Sequence, residues 1–178
     1  MNKIINPNKS RIYFDQYLFI SITLLSFMGL LFLYSASQGN TETIIKQSFF
    51  VVFGLILMFV LSQPDPDFYK NNALFFLILS IILIFLTMLV GKEVNGAQRW
   101  LDLGFFTLQS SEIIKIALPV FLAAYLYDKP LPINLFETFV TLVLIFTIVN
   151  LVRIQPDLGT SLVILIAGLY ILFLAGLS

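Results

Sequence analysis

Long apolar runs are the feature that most limits what this chain can fold into. A helix that crosses the hydrocarbon core of a bilayer needs about 20 mainly apolar residues. Six segments fit that length, some of them loosely: 17–35, 44–61, 73–90, 113–127, 135–152 and 158–177. They lack the alternation that the lumen face of a membrane β-barrel imposes. The sequence therefore predicts an all-α polytopic membrane protein, with about six transmembrane helices in a single domain over residues 1–178.

Composition supports this interpretation and excludes several kinds of chemistry. Of the 178 residues, 59% are hydrophobic and 11% are charged, whereas a soluble domain has about 25% charged residues. Cysteine and histidine are absent, so the sequence excludes disulfides, a thiol nucleophile, a Cys/His metal site and a histidine base. The net charge is zero, so the chain has no overall positive potential to attract nucleic acid. Acid–base chemistry is left to carboxylates, lysine or tyrosine.

Basic residues before the first apolar run predict the orientation. Lys3, Lys9 and Arg11 precede that run, and cytoplasmic flanks carry an excess of Lys and Arg. We therefore expect a cytoplasmic N-terminus, which places residues 95–115 on the outer face. The first run is longer than the roughly 7–15 apolar residues of a signal peptide, so we expect a retained helix. Because the chain ends directly after the sixth run, we interpret it as a fragment.

The stretch NGAQRWLDLGFFTLQSSEIIK at 95–115 places charges between and within apolar runs. Glu112 and Lys115 are three positions apart, so they share a face of the predicted fourth helix. A charge at the centre of a span costs about 2.5–3.5 kcal/mol on insertion scales. Two interpretations remain open: a local ion pair that neutralises itself, or a polar site that lines an inward cavity. Arg99 and Trp100 suit the interface, where a guanidinium binds phosphate oxygens in pairs.

RIQPDLGTS at 153–161 forms a second polar group. Pro156 and Asp157 suit the first turn of a helix, where a missing N–H is harmless and a negative charge is favoured. A well-made helix start explains them without any function, and that interpretation also remains open. Alternatively, the predicted topology places this group on the same side of the membrane as residues 95–115. Lys115 and Asp157 would then form an ion pair. Together, the two polar stretches then predict a polar pocket on the outer face, suited to an anionic, lipid-linked ligand.

Two motifs resemble a known family. GAQRWLDLGFFTLQSSEIIKIA at 96–117 and QPDLGTSLVILIAGLYILFLAGLS at 155–178 closely resemble the SEDS (shape, elongation, division, sporulation) family, and its RodA branch more than its FtsW branch. The resemblance runs from the first apolar run to the last residue but is specific only in these motifs. One departure is Ser110, where the family usually has proline. This departure predicts a looser entry to the fourth helix.

The resemblance implies a function and a larger fold. Family members have about ten helices in the bacterial inner membrane and polymerise lipid II during cell elongation, with a class B penicillin-binding protein as partner. An acceptor hydroxyl attacks the anomeric carbon of the donor and undecaprenyl pyrophosphate leaves. A carboxylate acts as base, and Mg²⁺ or Mn²⁺ offsets the pyrophosphate charge; no organic cofactor is implied. The essential aspartate lies after the seventh helix, so we expect the fragment alone to be inactive.

Several residues of this chain match supporting positions of the family. Trp100 matches an outer-loop tryptophan, while Glu112, Lys115 and Asp157 match a polar network in the central cavity. Their implied role is to position substrate and to supply electrostatic support, not to remove a proton. The residues predicted to bind or support substrate are Arg99, Trp100, Glu112, Lys115, Gln155 and Asp157. No catalytic or metal-binding residue is assigned.

Two other functions remain as alternatives. Buried charges in a cavity are also what transporters use, so a flippase or transporter of a lipid-linked cell-wall precursor fits the same residues. A non-catalytic membrane scaffold for a penicillin-binding protein is the other alternative. Assays of polymer formation, leaflet exchange and partner binding would separate the three functions.

Overall fold

The computed structural model describes residues 15–94, 97–104 and 106–176. These residues form six helices and three short strands. In chain order, the elements are α1 Gln16–Ala36, α2 Thr41–Leu61, α3 Pro66–Val90, β1 Lys92–Val94, β2 Ala97–Asp102, β3 Thr107–Gln109, α4 Ser110–Tyr127, α5 Leu135–Ile154 and α6 Leu158–Leu174. The predicted all-α polytopic membrane fold is confirmed.

The helices differ from the predicted segments mainly at their ends. Helices α1 to α5 are long enough and apolar enough to span a membrane, whereas α6 is an apolar helix of 17 residues. The predicted sixth segment extended to Leu177, which lies outside the described residues. Helix α4 begins at Ser110, before the predicted residue 113. The existence and type of each helix therefore followed from hydropathy, whereas its exact bounds did not.

Helix α3 shows why hydropathy missed a helix start. It begins at Pro66, seven residues before the predicted segment 73–90. Proline is well tolerated in the first helical position, because the missing N–H has no partner within the helix there. Asp67 in the first turn adds a favourable interaction with the helix dipole. The polar residues of this segment thus form the first turns of the helix.

The sequence interpretation did not include the three-stranded antiparallel sheet between α3 and α4, with strand order β1-β2-β3. Lys92 forms a salt bridge with Asp102 at 3.5 Å, which ties β1 to the end of β2. The backbone N–H of Gly104 donates to Asp102 at 2.9 Å, and Gly104 has a φ of 83 that favours glycine. This hydrogen bond and the charge of Lys92 hold the pKa of Asp102 below its usual range. The Asp102 side chain therefore stabilises the start of the turn between β2 and β3.

The chain divides into two compact units, Met1–Asp65 and Pro66–Ser178. Within the first unit, α1 and α2 begin at the side-chain caps Asp15 and Asn40. Neither helix has a buried residue, which suits helices that present apolar side chains to lipid. The prediction of one domain over residues 1–178 stays a prediction.

In the second unit, α3 to α6 pack around a core of leucine, isoleucine and valine side chains. The buried members are Leu77, Ile84, Ile114, Leu118, Leu122, Leu126, Ile133, Ile145, Ile148, Val152, Ile164 and Leu172. These helices alternate in direction. The sheet, the start of α4 and the α5–α6 junction therefore share one end of the unit, here called the sheet end. At the opposite end, here called the loop end, Lys70 pairs with Asp128 at 3.2 Å.

Gly168 sets the contact between α5 and α6. A Cβ added at Gly168 would lie 2.8 Å from Cγ1 and 2.9 Å from Cδ1 of Ile145. Ile145 is fully buried and cannot move away without disturbing the core. A Cβ added at Gly159, earlier in the same helix, would meet nothing within 4 Å. The two glycines of α6 thus form a matched pair.

We predict that Gly168→Ala destabilises the protein by about 1–3 kcal/mol through overpacking, whereas Gly159→Ala does not. Thermal unfolding of the detergent-solubilised protein measures both. Adding Ile145→Ala to Gly168→Ala should cost less than the sum of the single changes, because it removes the clashing atoms. Equal destabilisation by the two glycine substitutions would contradict this packing.

Candidate functional site

Asp157 joins three elements at the sheet end. It is the N-cap of α6, and its Oδ1 accepts a hydrogen bond from the backbone N–H of Thr160 at 3.1 Å. Its Oδ2 accepts from Nε2 of Gln109 at 2.9 Å and from Oγ of Ser111 at 3.1 Å. The expectation that Pro156 and Asp157 lie within the first turn is thus corrected, because Asp157 is the N-cap and Pro156 precedes it. The favourable interaction of Asp157 with the helix dipole remains. One carboxylate therefore ties α6 to β3 and α4.

The environment of Asp157 keeps it ionised. Burial acts to raise the pKa of Asp157, but the Thr160 and Ser111 hydrogen bonds and the charge of Arg99 lower it further than burial raises it. The net pKa lies below the usual range for aspartate. A depressed pKa stabilises the folded state at pH values above the ordinary pKa. That stabilisation is lost as the pH falls through the lowered value.

Arg99 and Gln155 connect the sheet to the helices. The Nε of Arg99 donates to the backbone carbonyl of Gln155 at 3.1 Å. In turn, Nε2 of Gln155 donates to the backbone carbonyl of Ile84 in α3 at 3.3 Å. Gln155 is 3% exposed. The Nη groups of Arg99 lie outside this bond, so the guanidinium is held in place with its fork still able to donate.

Glu112 and Lys115 form the local ion pair that the sequence left as one interpretation. The Nζ of Lys115 lies 2.8 Å from both carboxylate oxygens of Glu112, with side chains 31% and 53% exposed. Among the described residues, no salt bridge joins Lys115 to Asp157. Asp157 is held by neutral donors instead, so the expected pairing of the two is not present. Their role in supporting substrate stays a prediction.

The two polar groups nevertheless adjoin along one helix. Ser111, which donates to Asp157, precedes Lys115 by four residues, and residues four apart share a helix face. Ser111 and Lys115 therefore continue the polar side chains around Asp157 by one turn along α4. We call Gln109, Ser111, Lys115 and Asp157 together the polar surface. This surface contains one anionic oxygen acceptor bound by neutral groups and one ammonium that is partly exposed. An anionic ligand near Lys115 would compete with the Glu112 carboxylate for this ammonium.

Trp100 lies beside this polar surface. It is half-buried in β2, and its register partners are Lys92 in β1 and Gln109 in β3. Gln109 is the residue that donates to Asp157. The sheet therefore places an amphipathic ring next to the Asp157 network. Indole rings of this kind favour the membrane interface.

The described residues do not provide a ready divalent cation site. Within 15–94, 97–104 and 106–176, no group of three or more Asp or Glu side chains could hold a metal ion. Glu112 is bound to Lys115, and Asp157 accepts from Gln109 and Ser111. These residues alone do not fit Mg²⁺ or Mn²⁺, so no step of a reaction is assigned to an ion here.

The sequence interpretation missed a second polar cluster, which lies at the loop end. Glu137, in the first turn of α5, accepts hydrogen bonds from the hydroxyl of Tyr125 and, at 2.8 Å, from Nζ of Lys129. The hydrogen bond to Glu137 raises the pKa of Lys129. A glutamate near the start of an apolar run was the available signal. This cluster fastens α4 to α5.

Gln109 and Ser111 were the site residues that sequence reasoning did not assign. Both lay within the stretch 95–115, but uncharged side chains at a strand end and a helix start give no signal by themselves. Their role depends on Asp157, which lies far along the chain. Only the packing of α6 against α4 reveals it.

We predict that Asp157→Ala destabilises the protein by about 1–3 kcal/mol, because it removes a cap and leaves two donors unpaired. Asp157→Asn retains a good capping side chain and should cost less. Asp15→Ala is the matched control, since Asp15 caps α1 through Tyr17 and Leu18 without reaching another helix. Thermal unfolding measures the three variants. An equal loss for Asp157→Ala and Asp15→Ala would contradict the interhelical role.

Comparison with known proteins places the chain in a family. Residues 15–178 match the FtsW/RodA/SpoVE family, described as cell cycle proteins. The peptidoglycan glycosyltransferase MrdB of Escherichia coli K12 is 37% identical over 177 residues, covering 97% of this chain and 48% of the relative. The peptidoglycan glycosyltransferase RodA of Treponema pallidum is 35% identical, covering 92% and 39%. The chain thus spans about half the length of the curated relatives it matches, or somewhat less.

Solved structures agree with this assignment. The crystal structure of the rod shape determining protein RodA of Thermus thermophilus superposes with a TM-score of 0.86 at 28% identity, covering 96% of this chain and 56% of that one. A structure of a peptidoglycan synthase complex that coordinates polymerization and crosslinking gives a TM-score of 0.84 at 28% identity, covering 93% and 49%. From sequence and fold together, the chain belongs to the FtsW/RodA/SpoVE family.

Proposed function

We propose that the whole protein is a peptidoglycan glycosyltransferase that polymerises lipid II into glycan strands during cell elongation and shape maintenance. The observation that carries this proposal is the 37% identity, across 97% of this chain, to a relative named as a peptidoglycan glycosyltransferase. The polar surface at the sheet end gives the proposal a physical basis. It combines a partly exposed ammonium with an interfacial indole ring, both suited to a lipid-linked anion.

In this proposal, the residues of this chain position the substrate. The acceptor hydroxyl attacks the anomeric carbon of the donor, the bond to the pyrophosphate oxygen breaks, and undecaprenyl pyrophosphate leaves. Lys115 offsets negative charge on the lipid-linked substrate, and Arg99 and Trp100 engage it at the interface. Asp157 holds β3, α4 and α6 together around these groups. The base is a carboxylate of the whole protein, in the part that corresponds to the uncovered half of its relatives.

The proposal includes a location and a partner. The protein lies in the bacterial inner membrane with its N-terminus in the cytoplasm and the sheet end on the periplasmic side. Support comes from the basic residues before the first span, Lys3, Lys9 and Arg11, which lie outside the described residues. A class B penicillin-binding protein is the proposed partner, supported by the similarity to a peptidoglycan synthase complex.

A divalent cation remains part of the proposal. Because the described residues hold no group of three acidic side chains close enough to share an ion, most of its ligands would come from elsewhere in the whole protein. When bound, Mg²⁺ or Mn²⁺ would offset the charge of the pyrophosphate. The contributions of Lys115 and Arg99 are independent of it.

We predict that Lys115→Met in the whole protein lowers polymerisation at least about tenfold, as expected for the loss of one well-placed charge. The readout is glycan polymer formed from labelled lipid II in proteoliposomes. Lys46→Met, at an exposed lysine in α2, is the control and should leave activity unchanged. Undiminished polymer from Lys115→Met would contradict the assigned role.

The exchange Glu112→Lys with Lys115→Glu separates the two interpretations of this pair. It retains a local ion pair but moves the positive charge by one helical turn. If the pair only neutralises itself, the double variant should polymerise normally. We expect it to fold normally and to remain impaired, because the ammonium no longer faces the substrate.

The same proteoliposomes test the alternative functions. Polymer formation supports the glycosyltransferase, whereas leaflet exchange of labelled lipid II without polymer supports a flippase. Binding of a penicillin-binding protein with neither activity supports a scaffold.

We predict that Trp100→Ala raises the KM for lipid II several-fold, with little change in kcat, because the indole ring engages the substrate and does not react. Trp100→Phe keeps an aromatic ring and should be affected less. Steady-state polymerisation with increasing lipid II measures the split, and thermal unfolding checks that β2 is intact. An unchanged KM for Trp100→Ala would contradict this role.

A further inference from the structure

A cavity of about 320 Å³ lies at the sheet end, apart from the Glu112–Lys115 pair. It is bounded by the end of α3, the β1–β2 hairpin and the α5–α6 junction. The lining residues are Met88, Glu93, Gln98, Ile154, Gln155 and Pro156, and together they define the hairpin cavity. Its volume is near the lower limit of the about 300–1,000 Å³ typical of ligand sites. It therefore suits one sugar ring better than an extended chain.

Gln155 lines the hairpin cavity and is held there by its own hydrogen bonds. Its Nε2 is committed to the carbonyl of Ile84 and its backbone carbonyl to Arg99. Its Oε1 is buried and has no hydrogen-bond partner among the residues that the structure describes. An unpaired buried acceptor costs about 1–3 kcal/mol. Because this Oε1 atom is buried, Gln155 shapes the wall of the cavity, and the polar contacts with a bound molecule fall to the exposed residues of the hairpin.

Glu93 and Gln98 supply further polar groups on the hairpin. They are register partners in the β1–β2 pair, so their side chains lie on the same side of the sheet. Glu93 is exposed and forms no salt bridge within the described part of the chain. Its carboxylate accepts hydrogen bonds from hydroxyl and amide groups and repels phosphate. The amide of Gln98 both donates and accepts.

Apolar atoms complete the lining. Met88, Ile154 and Pro156 contribute an apolar wall to the lining. A pyranose ring has the matching pattern, with C–H groups on its faces and hydroxyl or N-acyl groups around its edge. A phosphate would leave the apolar wall unused and would meet the Glu93 carboxylate.

We propose that the hairpin cavity is a sugar subsite that binds one neutral pyranose ring carrying hydroxyl and N-acyl groups. The inference rests on the proposed function, which makes a glycan the substrate class. It assigns the sugar and the pyrophosphate of that substrate to different residues. Glu93 and Gln98 bind the sugar edge, while Lys115 and Arg99 serve the anionic part.

Saturation-transfer NMR on the whole protein in nanodiscs tests the subsite, with N,N′-diacetylchitobiose as a soluble, phosphate-free probe. Replacing Glu93 and Gln98 together by alanine should weaken binding about tenfold, since two hydrogen bonds are lost. Both side chains are exposed, so this variant should fold. Asp67→Ala, an exposed carboxylate at the loop end, is the matched control and should bind as the unmodified protein does.

A second variant tests the shape of the cavity. Ile154→Trp narrows it from a side chain that is 63% exposed, without removing any polar group. We expect it to weaken binding of the probe as well. Equal binding by the unmodified protein and both variants would overturn the inference, as would the finding that only water occupies the cavity.

Lipid II as a second probe identifies the source of the sugar. If chitobiose binds with the expected dependence on Glu93 and Gln98, the cavity recognises the sugar without its lipid carrier. If only lipid II shows that dependence, the subsite belongs to the lipid-linked substrate. Sugar binding in a protein that forms no polymer would refute the proposed polymerase activity and leave the subsite standing. Polymerisation with no cavity-dependent binding of either probe would refute the subsite alone.

Discussion

The carboxylate of Asp157 is the interaction on which the sheet end depends. It begins α6 by capping Thr160 and at the same time accepts from Gln109 and Ser111, so one charge orders a helix, a strand end and a neighbouring helix. At the edge of an apolar bundle, water competes weakly for these donors, and charge-assisted hydrogen bonds are stronger there than in solution. The polar surface is therefore built on a group that stays ionised and fully engaged. Groups beside it can remain available for a ligand.

The Glu112–Lys115 pair shows how charge is tolerated within a spanning helix. Each side chain neutralises the other across one turn of α4, which lowers the cost of placing both near the hydrocarbon boundary. Partial exposure keeps the ammonium accessible, in contrast to the fully engaged Asp157. Asp157 thus holds neighbouring elements together, whereas Lys115 is partly exposed and can contact a charged molecule. Family resemblance had grouped them as one network.

Hydropathy was sufficient to predict the helices, because a bilayer requires long apolar runs that few other folds contain. It failed at Pro66, where polar residues still form a helix, and in the stretch that becomes the sheet. Strands of three to six residues give too little alternation to detect, and their pairing depends on turns such as that closed by Asp102 and Gly104. The charged site residues could be named from the sequence. Their partners, Gln109 and Ser111, could not, because hydrogen bonds between distant segments leave no local pattern.

The small sheet has a consequence for anything that approaches the site from the bilayer. Peptide groups near hydrocarbon are costly unless they are hydrogen-bonded, and β1, β2 and β3 bond to one another within the connector itself. The peptide groups between neighbouring strands are therefore already paired, so lipid that contacts the face of the sheet would remove water mainly from side chains. The paired main chain of the sheet therefore adds little to the free-energy cost of dehydrating this connector.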